Sequence, residues 1–247
     1  MQNKKNRLSK TESLNIQPRD INIFRFLDRV GYATLAQVTL AIGAVNTEKE
    51  QESVLRRLYV LRRSGHIKVF KTHIGNYYAL DKKAKINNPI ITSIKLDQLE
   101  HHNFLTELFF HVQNEQVESE REVIAKYKVV GKKGRVPDMI INDWIIEFER
   151  SSKNNIDTQA VVFHWTIEQG KNLCVIYETE EIKNRYTKSL NPRVRLLAKE
   201  HYRDILNLIN SDIKADDAIN ENVTIDNTTI LTKVLPDNIL RILEKYK

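Results

Sequence analysis

Four side chains within one short stretch carry the chemistry this sequence offers: Asp138, Glu147, Glu149 and Lys153, in VPDMIINDWIIEFERSSKN, residues 136–154. The stretch is apolar enough for interior strands, yet three carboxylates interrupt it. Val136–Ile141 and Trp144–Arg150 read as strands joined by the two-residue turn Asn142-Asp143, whose residue types tolerate left-handed backbone. Such a turn pairs Ile141 with Trp144, so Asp138 falls opposite Glu147 and Val136 opposite Glu149. Paired residues share a face of the sheet, and Glu149, two beyond Glu147, joins them. The expectation is three carboxylates on one patch. Like charges set opposite each other on an apolar sheet are unfavourable unless water or a cation compensates them. Mg²⁺ or Mn²⁺ suits this donor set, because such ions take carboxylate oxygens and complete their shell with water and phosphate. A metal of this kind activates water and offsets charge on a phosphodiester. Lys153, four beyond Glu149, is spaced to reach a phosphate oxygen. In the alternative reading, Glu147, Glu149 and Lys153 are the polar face of an edge strand running into a helix.

The elements that must position these groups lie on both sides. Leu99, Phe104, Leu105, Leu108, Phe109 and Val112 predict a helix over about 96–116, on which Glu107 is spaced to face the patch. His101 and His102 lie on the same helix, where a hydrogen-bonded structural histidine is the competing role. The run VESEREVIAKYKVVG reads as a strand containing Glu122, and Gly131-Lys132-Lys133-Gly134 as a flexible turn. Downstream, a helix from Asn155 to about Gln169, with Gln159 early in it, leads to the strand KNLCVIYET. Helices are expected on either side of Pro192. Residues 206–247 form an extension without evident chemistry.

Residues 1–96 hold 18 Lys and Arg against 7 Asp and Glu, whereas the remainder holds 21 against 25. A basic front half is the footprint of a polyanion-binding unit. After a polar arm (1–16), three helices are predicted: from Pro18 to Gly31, from Leu35 to Ile42 behind the capping Thr34, and from about Glu48 to Ser64. The third buries Val54, Leu55, Leu58 and Leu61 and leaves Arg56, Arg57, Arg62 and Arg63 outside. HIKVFKTH and NYYAL follow as a hairpin bearing Lys68 and Lys71. Three helices and a basic hairpin are the pattern of a winged helix-turn-helix over 17–81. Its third helix would enter the DNA major groove while the hairpin approached the backbone. A protein-binding winged helix with a solvated arginine face is the alternative. The polar stretch DKKAKINNPI falls in a linker, 82–95, before a second domain over 96–205.

Composition narrows the classes further. The 247 residues carry a net charge of +7 and a single cysteine, Cys174, which excludes an intrachain disulfide and a cysteine zinc site. No apolar run approaches the roughly 18–20 residues of a membrane span. The first residues, MQNKKNRLSK, lack the apolar stretch of a secretory signal. A cytoplasmic protein with no membrane association is expected.

Asp, a short gap and Glu-x-Glu with a nearby lysine resemble the core of the PD-(D/E)xK restriction-endonuclease-like superfamily. Pro137-Asp138 supplies the PD, and Glu147-Phe148-Glu149 stands where the family has (D/E)xK. Glu149 occupies the usual lysine position, which makes Lys153 the candidate lysine. A winged helix followed by His102 and Glu107, then Pro137-Asp138, then EFERSSKN also resembles the plasmid replication-relaxation proteins and MobC-type conjugative relaxases. The resemblance implies an α+β chain, with a winged helix ahead of an α-β-β-β-α-β nuclease domain. It also implies site-specific nicking of double-stranded DNA at a plasmid origin of transfer. In that role the protein would work beside a coupling protein and an accessory mobilisation protein. Asp138, Glu147 and Glu149 would hold the metal, and Lys153, Glu107 and His102 would complete the catalytic set. No HxH cluster or distinct tyrosine nucleophile accompanies them, which favours hydrolysis by a metal-activated water. A non-catalytic replication or transcription regulator, or a repair or defence nuclease on the same core, are the competing functions.

Overall fold

A computed structural model describes residues 14–84, 88, 90–127, 136–150, 170–186 and 194–210. The chain is of mixed α+β type and divides into two compact units, Met1–Ile94 and Lys95–Lys247.

Unit 1 begins with α1 (Pro18–Val30), whose first turn is closed by Asp20: its carboxylate accepts the Gln17 N–H at 2.7 Å. Gly31, at φ +93°, ends the helix in a conformation other residues resist. A short strand not anticipated from the sequence follows, β1 (Tyr32–Thr34). Thr34 then caps α2 (Leu35–Ala41) in a reciprocal arrangement with Gln37. Next come α3 (Glu48–Arg63), β2 (Ile67–Thr72) and β3 (Gly75–Leu80), with β3 between β1 and β2 in an antiparallel sheet. Ile23, Leu27, Val38, Val54, Leu58 and Leu61 form the core between the helices and the sheet.

Two residues of α3 depart from the expected pattern. Leu55, expected inside, is 43% exposed. Arg57, expected outside, turns inward and donates from Nε to Asp20 Oδ1 at 2.9 Å. The Asp20 side chain is fully buried, and an ionised carboxylate there requires a cation. That requirement outweighs the preference of an arginine for water.

Unit 2 opens with a short turn, Leu96–Gln98, and α4 (Leu99–His111). After it come β4 (Val117–Ser119), α5 (Glu120–Tyr127), β5 (Met139–Ile141), β6 (Trp144–Glu149) and β7 (Asn172–Tyr177). The described part ends with α6 (Glu180–Tyr186), β8 (Val194–Ala198), a 3₁₀ segment (Lys199–Asp204) and α7 (Ile205–Asn210). The five strands run in chain order across one sheet, antiparallel from β4 to β6 and parallel from β6 to β8.

Two expectations change here. The run after Val117 is a strand for only three residues and then a helix, so Glu122 is helical. Ser119 and Glu122 cap that helix reciprocally, with the Glu122 carboxylate accepting the Ser119 N–H at 2.9 Å. Beyond Pro192 the chain forms the strand β8 before its short helices, because Leu197 and Ala198 are buried beside β7.

Alternation gives the sheet two distinct faces. Ile140, Ile145, Leu173 and Val175 pack with Val123 of α5, with Ile182 of α6 partly buried against them. On the other face Phe148 meets Phe104 of α4, ring centroids 4.2 Å apart. No helix among the described residues is long and apolar enough to cross a membrane.

Candidate functional site

The hairpin of β5 and β6 has the register read from the sequence: Met139 pairs with Ile146, Ile140 with Ile145, and Ile141 with Trp144. Its turn depends on Asn142, at φ +53°. The Asn142 amide also donates from Nδ2 to Glu115 at 3.0 Å and accepts the Gln116 N–H at 3.2 Å. Register and turn together bring Asp138 level with Glu147 at the open end of the hairpin.

The two acids do not meet carboxylate to carboxylate. Asp138 lies one residue beyond the last ladder pair, where strand alternation no longer dictates the direction of its side chain. Its Oδ2 accepts the Phe148 N–H at 2.8 Å, while the Asp138 N–H donates to Glu147 Oε1 at 3.3 Å. Asp138 Oδ1 is 3.1 Å from His101 Nε2 on α4. Glu147 is 8% exposed on the face that carries Ile145, and Glu149, further along that face, is half-buried. Asp138 Oδ1 thus turns to His101 of α4 while Glu147 and Glu149 share the Ile145 face, and the three carboxylates do not close into one ligand set. Among the described residues, the one set of three metal-type ligands within 4.8 Å of one another is Glu180, Glu200 and His201. That set is largely open to solvent, and Lys183 already lies 2.5 Å from a Glu180 oxygen.

Of the two adjacent histidines, His101 reaches the acids. It shares the inward stripe of α4 with Phe104 and Leu108, at i, i+3 and i+7, and its ring lies 5.4 Å from that of Phe148. That spacing was the available sequence signal. His102 instead sits 3.4 Å from the Thr106 hydroxyl on its own helix. Glu107 is exposed about a third of a turn away from His101 and makes no hydrogen bond to Asp138, Glu147 or Glu149. Lys153, Gln159 and the expected helix 155–169 lie outside the described residues, as do residues 211–247.

Burial opposes charge on His101, but its hydrogen bond to Asp138 and the negative charges of Asp138 and Glu120 outweigh it, and its pKa is raised. Crowding by protein atoms, then the Asp138 charge, push the Glu120 carboxyl upward, although the residue is exposed at the start of α5. Sequence reading missed Glu120 because the residues around the start of α5 have the composition of a strand.

Beyond β6 the strand ends are tied by charge. Arg150 pairs with Glu100 of α4 and, from Nε, lies 3.6 Å from Glu178 at the end of β7. Lys199, just past β8, pairs with Glu178 at 2.8 Å and lies 5.6 Å from the ring of Phe148. Cys174 is fully buried in β7, and burial pushes its thiol up to about 12, which leaves no nucleophile there.

In unit 1, Arg62 and Arg63 are exposed on α3, and Arg63 lies 5.8 Å over the Tyr59 ring. Arg56 is exposed but paired with Glu52 at 2.6 Å. Lys71 is exposed on β2, and Lys68 lies 5.3 Å over Phe70. Only Arg57 of the six basic residues is committed to the interior. No protein-family model, curated protein or solved structure matches the chain.

Proposed function

We propose that the chain is a metal-dependent DNA endonuclease: unit 1 is a winged helix that docks on duplex DNA, and unit 2 is a PD-(D/E)xK-type domain that nicks it. The carrying observation is the level placement of Asp138 and Glu147 at the mouth of the β5–β6 hairpin, both poorly exposed. Two such carboxylates beside an apolar sheet cost free energy that a binding role compensates.

The donor types suit Mg²⁺ or Mn²⁺, and a shared ion requires the carboxylates to be drawn together. Asp138 and Glu147 offer hard oxygen ligands, with Glu149 at the rim, once Asp138 Oδ1 exchanges its His101 contact. When bound, the metal supplies Lewis-acid stabilisation of a phosphodiester. The chain's own groups do the rest. The Phe148 N–H fixes the Asp138 carboxylate, His101 Nε2 holds a proton beside it, and Lys153 is assigned the phosphate contact. The biological setting that goes with this reading is cytoplasmic nicking at a plasmid origin of transfer, beside a coupling protein and an accessory mobilisation protein.

One observation favours a second reading, a non-catalytic DNA-binding regulator. Both Asp138 oxygens already have protein partners, His101 and Phe148. The test incubates supercoiled plasmids, with and without a transfer origin, with Mg²⁺ or Mn²⁺ and the wild type, Asp138→Ala or Glu147→Ala. Origin-dependent relaxation lost in both variants supports the nickase. DNA binding with no metal-dependent nicking by the wild type selects the regulator.

A further inference from the structure

We infer that α3 reads thymine methyl groups in the DNA major groove through Leu55 and Tyr59. The inference rests on the winged-helix reading of unit 1 and names what that helix recognises. Leu55 is 43% exposed and Tyr59 55% exposed, on the flank of α3 beside the buried Val54, Leu58 and Leu61. At i and i+4 they form one apolar stripe. Large apolar side chains held in water on a helix forgo burial they could gain against a partner.

The surroundings of the stripe identify the partner by its charge. Arg62 and Arg63 continue the same face toward the C-terminal end of α3, and the Arg63 guanidinium stacks at 5.8 Å on the Tyr59 ring. Arg56 is tethered to Glu52 across the same face, so one arginine beside the stripe is already neutralised. The face therefore starts with Glu48 and Glu52, the latter held by Arg56, is apolar in the middle and is cationic at its C-terminal end. A duplex matches that pattern, offering apolar 5-methyl groups at the groove floor and phosphates at its edges. Bases that present only donors and acceptors leave Leu55 and Tyr59 unmatched, so duplexes rich in thymine at the contacted positions are favoured.

The test uses the full chain and a random-sequence duplex pool, from which the chain selects its own site. The selected duplex is then resynthesised with uracil for thymine, which removes only the 5-methyl group. Wild type is expected to bind the uracil duplex roughly fourfold more weakly for each contacted methyl lost. Leu55→Ala and Tyr59→Ala, surface changes on a helix that accepts alanine, are expected to erase that difference while retaining salt-dependent binding. Equal wild-type affinity for thymine and uracil duplexes overturns the inference and leaves the DNA-binding reading intact. Failure to bind any duplex overturns that reading itself. A changed oligomeric state in the alanine variants, measured by sedimentation and without loss of thymine discrimination, makes the stripe a contact between copies and also overturns the inference.

Discussion

Asp138 and Glu147 hold each other's strands by the main chain: Glu147 accepts the Asp138 N–H, and Asp138 accepts the N–H of Phe148, the residue after Glu147. Each carboxylate thus extends the hairpin by one polar bond past its last ladder pair. The arrangement keeps two acids close without setting their charges face to face.

The third participant, His101, makes the site sensitive to pH. Its pKa is raised on folding despite burial, by the Asp138 bond and the nearby acids. Its stabilising contribution is therefore complete below the unfolded value of about 6.5 and fades as pH climbs through the folded value. His101→Gln is expected to cost on the order of 1 kcal/mol at pH 5.5 and less at pH 8.5. Urea unfolding of both proteins at the two pH values measures the difference, and a loss that grows with pH contradicts it.

Arg56 and Arg57 are neighbours in sequence with opposite duties. Arg57→Ala strands the buried Asp20 carboxylate and is expected to destabilise unit 1 by about 3 kcal/mol. Arg56→Ala removes an exposed pair and is expected to cost less than about 0.5 kcal/mol. Burial of Asp20 works against its charge, but the Arg57 bond prevails and lowers its pKa. The contribution is present above the unfolded carboxylate value and is lost as pH falls through the folded one. Acid titration of wild type and Arg57→Ala, followed by circular dichroism, reads that window.

The turn at Asn142 sets the register on which the two acids depend. Asn142→Gly keeps the left-handed backbone but loses the bonds to Glu115 and Gln116, whereas Asn142→Ala loses both advantages. Alanine is therefore expected to be the worse substitution, by about 1 kcal/mol. Thermal unfolding that ranks glycine below alanine would count against this account of the turn.

Cys174 offers a probe of unit 2 alone. A fully buried thiol with a pKa near 12 reacts with an aromatic disulfide reagent only after the sheet opens. Labelling in native buffer is expected to be negligible over minutes and complete in denaturant. Rapid native labelling would show that β7 is not packed as described.

Periodicity made the central hairpin legible, because strand pairing has a period of two and Asn142-Asp143 left one register open. It could not show that Asp138 turns toward α4, since that depends on a histidine far back in the chain. The inward turn of Arg57 was hidden for the same reason: its partner Asp20 is remote in sequence. Helix α5 was legible in principle from Ser119 and Glu122, but the β-type residues around them outweighed the cap. The strand after Pro192 was hidden because VRLLA suits either a helix or a strand until a neighbour is known.

The change of direction within the sheet has a consequence for how the chain assembles. β5 and β6 are neighbours in sequence, whereas β6 meets β7 through residues as far apart as Trp144 and Asn172. Hairpins close in about 1–10 μs, while long-range parallel pairing comes later because distant segments must first find each other. Asp138 and Glu147 are then brought level first, and because Glu147 lies beside Val175 of β7, docking of that strand is expected to remove water from it. A charge at 147 is therefore expected to act as a brake on the late barrier. Glu147→Gln is expected to speed refolding in stopped-flow measurements, so one buried acid would set the pace at which its own sheet is completed.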